Sequence, residues 1–542
     1  MGYVPPNTIV QFFGELGLSP NYENSLYFAT EAAKDAYFSN IPRVAQATQV
    51  SYTRTERGII RVEIPIYTMY RVGYMRFQNS SFENKWIYAF VTGVEYINNL
   101  VTQVRFEIDV LMTWMGTFQL GQCFIERQHT VNDYIGANIA DEGLDTGEYI
   151  TEYRGNTGIL SGGWAICLFT SQSFTGSSQD PAPAPAQGGI YCGVYSGCQM
   201  FIYPNTAEGA ANLNAELEGI TKSAGSDAIA CIMMLPYSYA AAAIIAGGTS
   251  APFTVDIPIA KPYSDIAGYV PKNKKLFTYP YKCLSVYNSE GNSVDYKYEY
   301  FNTLPDQQST GVCTFNMKTL ISSNPLIALY PLNYKGQAVA YDEQIDMRHF
   351  TACNYAIDTW KAYYAMNKST IDYDKASTGI FGGVGIASGI ISAVGSAATG
   401  NLQGVGSGIN QIATSVDSVG RTMARHTDYQ RMPNVSKGVA NNDLMTADQT
   451  KDFYFEEKCI TKNYAMMIDD YFTMFGYAIK QVATPNMHAR PYFTYVKTIG
   501  CTVHGNLPSD DGAEIESIFD RGVRFWTNHN NIGNYSLNNA PT

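Results

Sequence analysis

The chain has 542 residues, of which 45% are hydrophobic but only 15% are charged, against about 25% charged in an ordinary globular protein. Its formal net charge of −12 at pH 7 excludes a basic field that would hold nucleic acid, because like charges repel the phosphate backbone. A chain of this length can form two to four domains with sizeable hydrophobic cores.

Tyrosine and glycine take the place of the missing charge, with 41 and 47 residues. Aromatic and β-branched residues favour strands, and a tyrosine-rich, charge-poor surface is typical of a chain that packs against copies of itself. The N-terminal sequence MGYVPPNTIV has no basic region and no apolar core, so no signal peptide is expected. The ten dispersed cysteines are expected to be reduced and mostly buried thiols.

In the first part of the chain, alternating apolar and polar residues predict strands at residues 59–67 and 104–110, and an aromatic and β-branched run predicts another at residues 85–97. The pair Asn98-Asn99 stands between two of these runs, where a hairpin turn is expected. The first 130 residues are therefore predicted to form one antiparallel β-meander.

The middle of the chain begins with a different composition. Residues 180–189 (DPAPAPAQGG) are expected to be an extended linker. Residues 207–222 predict a short helix with Leu213, Leu217 and Ile220 on one side. Residues 228–248 are apolar but contain Pro236, which favours core or a buried loop over a spanning helix.

Further strands are predicted at residues 282–304 and 311–320. Residues 350–374 are the best helix candidate of the chain, since Tyr355, Thr359, Ala362 and Met366 fall near one face.

Residues 376–416 then contain no charged residue, no proline and a single aromatic residue. Small residues recur every four positions, which in a helix produces the smooth ridge on which membrane helices pack closely. The apolar residues predicted to be membrane-active are Ile380, Phe381, Val384, Ile386, Ile390, Ile391, Val394, Val405, Ile409 and Ile412. The small residues predicted to pack the loop are Gly385, Gly389, Ser392, Ser396, Gly400, Gly404 and Gly408.

Two plainer interpretations compete with membrane activity for residues 376–416. Glycine costs about 0.5–1 kcal/mol in a helix or strand, which favours a flexible loop, but flexible linkers are polar and this one would expose many apolar side chains. A buried core helix is the other interpretation, although glycine fills a core poorly. A span needs about 20 residues, so the segment could cross a bilayer twice, and its glycine content makes insertion only marginally favourable.

Catalytic and cofactor motifs are not found in the sequence. The six histidines are far apart and form no HExxH or HxH pair, and no GxSxG elbow or phosphate-binding loop is present. Neither an enzymatic activity nor a cofactor or metal is therefore expected.

Four passages resemble one protein family: residues 77–96, 104–129, 141–149 and 518–539. They include Trp86, Trp114, Trp526 and the IGNY at residues 532–535, and they are similar to the distal tail-tube, or tail-knob, protein of small short-tailed phages of the phi29-like (picovirus) type. The similarity is good over about the first 150 and last 90 residues, and poor over residues 164–284.

The resemblance implies a mainly β protein (a β-rich α+β fold), built as a hexameric tube of antiparallel sheets at the distal end of the virion tail. It implies tube segments at residues 1–163, 285–360 and 442–542, an inserted knob region at residues 164–284, and a hydrophobic helical or irregular loop at residues 361–441. In the family, six such loops plug the lumen and leave it on infection to form a pore in the host cytoplasmic membrane.

The partners implied by the resemblance are five further copies of the chain, the upstream lower-collar proteins of the tail, phage DNA that passes without sequence readout, and host membrane lipids. The protein would be made in the host cytoplasm. Two alternatives stay open from the residues: a receptor-binding, adhesin-like knob whose apolar stretch is only a buried interface, and a cell-wall hydrolase.

Overall fold

The computed structural model describes residues 7–50, 58–80, 83–160, 162–173, 184–185, 190–191, 194–223, 226–240, 253–260, 264–301, 312–321, 324–357, 363, 367, 435–437 and 444–541. Strands dominate these residues, and nearly all of them pair antiparallel. The prediction of a mainly β fold with antiparallel sheets is confirmed. The described strands form five sheets of three or more strands, which we number I to V.

Sheet I has six strands, in the order Arg43–Val50, Thr8–Phe13, Tyr74–Gln78, Ile87–Tyr96, Thr102–Ile108 and Ile59–Val62. Its two outermost strands contact each other, so the sheet curls around a buried core. The core side chains of its inner face are Val10, Phe12, Ile60, Val62, Met75, Phe77, Val104 and Phe106. The other face is exposed at Arg105 and Glu107, but its central part is buried, since Tyr74, Tyr88 and Phe90 pack into a second core.

Two details of the prediction for this region are wrong. The strand predicted at residues 59–67 ends at Val62, and a short helix, Ile66–Met69, begins after Pro65, whose ring fixes a backbone angle suited to a helix start. The single meander is also wrong, because Thr8–Phe13 pairs with both Arg43–Val50 and Tyr74–Gln78. The predicted turn at Asn98-Asn99 is confirmed: the Asn98 side chain accepts from the N–H groups of Leu100 and Val101.

Sheet II joins the two ends of the chain. Its strand order is Asn24–Leu26, Val523–Trp526, Phe493–Ile499, Cys123–Gln128 and Tyr477–Ala483, and only the first pair is parallel. One core lies between this sheet and the helices Glu31–Asn40, Val110–Trp114 and Ser509–Arg521. Lys34 is fully buried there, and its ammonium donates to the carbonyls of Met112, Thr113 and Met115, which caps the end of the second helix. A small ladder pairs Gln119–Leu120 with Val503–His504.

Sheet III is a four-stranded antiparallel sheet in the order Tyr149–Asn156, Phe453–Ile460, Lys282–Asn288 and Ser293–Tyr296. The amphipathic helix Lys462–Phe475 follows its second strand and buries Ile468 and Phe472. Short 3₁₀ turns stand at Lys274–Phe277, Tyr298–Tyr300 and Tyr341–Glu343 near this sheet, and others at Ser226–Ala228 and His529–Asn531.

Sheets IV and V complete the middle of the chain. Sheet IV has the order Gln199–Pro204, Trp164–Thr170 and Ile229–Pro236, and the helix Ala207–Ser223 contacts its edge strand. Sheet V consists of Phe253–Ala260, Val312–Leu320, Leu326–Tyr334, Gln337–Val339 and Ile345–Met347. One continuous core contains buried residues of sheets III, IV and V and of the helix Lys462–Phe475.

The predicted helix in the middle of the chain is present, and the apolar run that follows it contains a strand. The helix predicted at residues 207–222 is confirmed, with Leu213, Leu217 and Ile220 buried against sheet IV. Residues 229–236 of the apolar run are a core strand. The predicted linker at residues 180–189 lies outside the described residues except for the two-residue strand Ala184–Pro185, which pairs with Gln172–Ser173; another short pair joins Ile190–Tyr191 to Val194–Tyr195.

The helix predicted at residues 350–374 is wrong at its start. Tyr355–Ile357 is a strand that pairs with Val435–Lys437, because a backbone partner far along the chain outweighs a local apolar spacing. None of the nine cysteines that the structure describes forms a disulfide bond, and six of them are buried, which confirms the prediction for them. The division into knob and tube segments stays a prediction.

Candidate functional site at the base of the apolar loop

The predicted membrane-active and loop-packing residues, from Ile380 to Ile412, lie outside the described residues. Within the described part of the chain, no helix combines the length and the apolar character that a membrane crossing requires. The structure does describe both points at which the chain enters and leaves the predicted loop. Those two points form the candidate site.

The chain enters and leaves the loop at one place. Tyr355–Ile357 and Val435–Lys437 form a two-stranded antiparallel ladder in which Ala356 lies opposite Ser436. Lys437 also reaches Asp227, with 3.6 Å between the ammonium nitrogen and a carboxylate oxygen. We call this ladder, together with residues 348–354 and 444–452 that precede and follow it, the loop base.

The entering side of the loop base is attached to sheet IV. The Met234 N–H donates to the Thr351 carbonyl at 2.8 Å, and the Cys353 N–H donates to the Ile232 carbonyl at 2.8 Å. Cys353 and Tyr355 pack against the core below the helix Ala207–Ser223. Burial raises the pKa of the Cys353 thiol and of the Tyr355 phenol, so both side chains are neutral at physiological pH.

The leaving side of the loop base is held against the entering side by side chains. The short helix Leu444–Ala447 places Thr446, whose hydroxyl lies 2.9 Å from that of Thr351. Lys451 is buried, and its ammonium donates to the His349 carbonyl at 2.8 Å. The same ammonium lies 3.3 Å from the Glu290 carboxylate.

Glu290 is the residue on which both sides converge. It stands in the turn between the last two strands of sheet III, and its two carboxylate oxygens accept from the Arg348 N–H at 3.0 and 3.2 Å. Glu290, the backbone of Arg348 and the Lys451 ammonium therefore form one clasp, which we call the Glu290 clasp. Because a buried ion pair loses several kcal/mol when one partner is removed, the clasp fixes the loop base.

The residue after the clasp joins the loop base to sheet III. The Asp452 N–H donates to the Ser289 hydroxyl at 2.8 Å, and the Ser289 N–H donates to the Asp452 carbonyl at 3.3 Å. Burial raises the pKa of Asp452, although its hydrogen bonds to Thr157 and to its own strand act in the opposite direction. The chain then continues directly into Phe453–Ile460, a central strand of sheet III.

This arrangement means that residues 358–434 leave a fixed point of the body and return to it. Sequence reasoning missed the clasp. Glu290, Arg348 and Lys451 are ordinary surface-type residues far apart in the sequence, and no local pattern joins them.

Comparison with known proteins identifies the family of the chain. Residues 248–540, more than half of the chain and including the whole loop base, match the model of the family described as Bacillus phage phi29, Tail knob protein gp9, C-terminal domain. The chain belongs to the tail knob protein gp9 family. Residues 6–119, which contain sheet I, match the model described as Caudoviral major tail protein N-terminus.

Tail knob protein gp9 relatives match over the full length of the chain. Those of Bacillus phage B103 and Bacillus phage phi29 are each 27% identical to it, with 99% of this chain and 100% of the relative covered. The structure of the bacteriophage C1 tail knob protein, gp12, has a TM-score of 0.62 at 14% identity, covering 98% of this chain and 99% of that one. The latter likeness concerns the fold.

Membership of the gp9 family establishes the broad class of function. The chain is a structural virion protein of the tail of short-tailed phages, and it associates with other tail components. Its relatives are structural proteins, which confirms the prediction that it is not an enzyme. The family predicted from the sequence is thereby confirmed.

Proposed function

We propose that six copies of this chain form the distal tube of the tail, through which phage DNA passes, and that residues 378–416, the apolar centre of the loop at residues 361–441, enter the host cytoplasmic membrane when the loop is released. The observation that carries the proposal is the loop base: the chain leaves one clasped point of a folded body at residue 357 and returns to it at residue 435, and the uncharged apolar stretch of residues 376–416 lies between. The receptor-binding knob is the other function considered, and it is an outcome of the test below.

The reach of the segment is sufficient for such a role. Residues 358–434 could run out and back with about 38 residues each way, or about 57 Å as a helical hairpin at 1.5 Å per residue. A bilayer core is about 30 Å thick. The loop could therefore span the membrane while the loop base stays outside it.

The small residues of the segment suit entry after release. Gly385, Gly389 and Gly400 lower the cost of staying outside a bilayer, because fewer apolar side chains are then exposed to water. The same residues allow helices to approach closely inside a bilayer. Passage of DNA needs no sequence readout, and the net charge of −12 would repel the DNA rather than hold it.

The test is leakage of a dye from liposomes on exposure to the assembled protein. The variant carries Ile390→Asp and Ile391→Asp, each of which costs about 2.5–3.5 kcal/mol at the centre of a membrane helix. The matched control carries the same kind of charge at an exposed position of the helix Ala207–Ser223, Asn214→Asp. We expect the wild type and the control to release the dye and the Ile390 and Ile391 variant to retain it.

A variant that leaks as fast as the wild type would contradict membrane entry by residues 378–416. If the unchanged protein instead never permeabilises lipid and binds host cells through residues 164–284, the receptor-binding function is the correct one.

A further inference from the structure

Sheet III has two edges without a strand partner among the described residues. Tyr149–Asn156 forms one edge and pairs only with Phe453–Ile460, while Ser293–Tyr296 forms the other and pairs only with Lys282–Asn288. An unpaired edge presents a row of backbone donors and acceptors that can pair with another chain. Both edges could therefore pair with a strand of another chain.

The first of these edges is unusually open. Every residue of Tyr149–Asn156 except Gly155 is exposed, including Tyr149 at 44% and Tyr153 at 56%. On the other edge, Ser293 and Asp295 are exposed while Tyr296 is buried in the core. Exposed tyrosines on an unpaired edge are typical of a protein interface.

We propose that Tyr149–Asn156 of one copy of the chain pairs antiparallel with Ser293–Tyr296 of the neighbouring copy, with Arg154 opposite Asp295. The proposal rests on the proposed function, in which six copies form a ring, and it names the strands through which neighbouring copies contact each other. The partner is a second copy of this chain, and sheet III would continue from copy to copy.

Strand direction is compatible with this pairing. The four strands of sheet III alternate in direction, so Tyr149–Asn156 and Ser293–Tyr296 run opposite to each other. When copies are related by rotation about a common axis, the last strand of one copy meets the first strand of the next in antiparallel orientation. A contact between two different edges is head-to-tail, which is the kind of contact that closes into a ring.

The backbone register is compatible as well. The Thr157 N–H donates to the Phe453 carbonyl at 3.0 Å. Because the direction of the peptide groups alternates along an antiparallel strand, every second residue bonds to sheet III, and Arg154 and Asn156 direct their N–H and C=O groups away from it. On the other edge, the Asn288 N–H donates to the Asn292 carbonyl at 3.0 Å, and the same alternation directs the peptide groups of Ser293 and Asp295 outward. When Arg154 lies opposite Asp295, the outward-directed peptide groups of the two strands therefore face each other and can form hydrogen bonds. The same register places Asn156 opposite Ser293.

The charges complement each other in this register. Arg154 lies on the polar face of sheet III beside Glu456, and its side chain remains 66% exposed. Asp295 lies on the same face at the other edge, 3.9 Å from Lys458, and its side chain remains 51% exposed. Each edge thus offers an accessible charge of the opposite sign to the other.

Cysteine cross-linking tests the register. In one chain, Arg154 and Asp295 are three strand spacings apart, about 14 Å, whereas a disulfide requires Cα atoms within about 6.8 Å. The full-length variant with Arg154→Cys and Asp295→Cys can therefore cross-link through these positions only between copies. The matched control carries Tyr153→Cys and Asp295→Cys, whose side chains point to opposite faces.

We expect mild oxidation of the first variant to give a ladder of covalent multimers that ends at the size of the ring, and the control to remain monomeric on a denaturing gel. A ring that forms without cross-linking of residues 154 and 295, or with equal cross-linking in the control, overturns this interface.

A double-mutant cycle supplies a second readout that needs no cysteine. Arg154→Gln and Asp295→Asn each remove one charge, and each is expected to raise the concentration at which the ring dissociates by about threefold, the size of a partly exposed ion pair. The double variant should be no weaker than either single variant, whereas multiplied effects would contradict a direct pair.

These experiments separate this proposal from the proposed function. A ring that cross-links as expected but never permeabilises liposomes leaves the interface intact and removes the membrane role. A chain that stays monomeric at all concentrations overturns both the ring and the interface.

Discussion

The Glu290 clasp yields a prediction whose size follows from the structure. The Lys451 side chain is 3% exposed and the Glu290 side chain 17% exposed, with 3.3 Å between their charged atoms. Removing one partner of a buried ion pair costs about 3–5 kcal/mol. Because Glu290 would keep its two bonds from the Arg348 N–H and some contact with water, we expect Lys451→Met to cost about 2 kcal/mol. The Lys451 ammonium also lies over the Phe350 ring, 5.2 Å from its centroid, and methionine loses this contact while it keeps a similar apolar stem.

Hydrogen exchange followed by mass spectrometry measures this loss of stability locally, at the loop base. A loss of about 2 kcal/mol should lower the protection of residues 345–357 and 444–452 by about 30-fold, with sheet II unaffected. The control is Arg348→Met, which removes an exposed ion pair with Asp346 and keeps the backbone N–H, so a change of at most about twofold is expected. Equal effects of the two substitutions would refute the role of the clasp.

Two further predictions concern the core and the ends of its elements. Burial raises the pKa of Glu457 to about 7; Lys282 acts against this shift and Glu152 adds to it. Between about pH 4.5 and 7 the native state therefore binds more protons than the unfolded state, and the free energy of unfolding falls as the pH rises through this window. Above pH 7 the full loss of stability, at most about 3 kcal/mol, is present. Glu457→Gln should therefore raise the urea midpoint at pH 8 but not at pH 4, whereas Glu63→Gln at an exposed position should leave both unchanged. A Glu457 variant with no gain at pH 8 would contradict the buried charge. Gly476 ends the helix Lys462–Phe475 with φ +65°, and a Cβ there would lie 2.4 Å from the Gln128 carbonyl. Gly476→Ala should lower the free energy of unfolding by at least about 3 kcal/mol in urea denaturation, whereas Gly93→Ala, where a Cβ meets open space, should lower it by less than about 1 kcal/mol. Similar urea midpoints for the two variants would count against this geometry.

The sequence was informative where structure follows local periodicity. The aromatic and β-branched run at residues 85–97 and the alternation at residues 104–110 predicted the strands Ile87–Tyr96 and Thr102–Ile108 and the turn between them, and the spacing of Leu213, Leu217 and Ile220 predicted a helix. These signals are local because the period of a strand or a helix decides which neighbouring residues share one face.

The sequence was uninformative where the partner is distant. Tyr355–Ile357 has a helical spacing of apolar residues, yet it pairs with Val435–Lys437. Cys123–Gln128 pairs with strands more than 300 residues later, so the curled sheet I and sheet II were merged in the prediction. The Glu290 clasp likewise depends on three segments that only the fold brings together.

The central claim is that the apolar loop moves from the tail into the host membrane. Cryo-electron microscopy of intact particles, and of particles that have released their DNA onto lipid vesicles, tests it most directly. The account predicts density for residues 378–416 inside the tube before release and within the bilayer after it, with the loop base unchanged in both states. Density that stays buried at a subunit interface in both states would contradict the account.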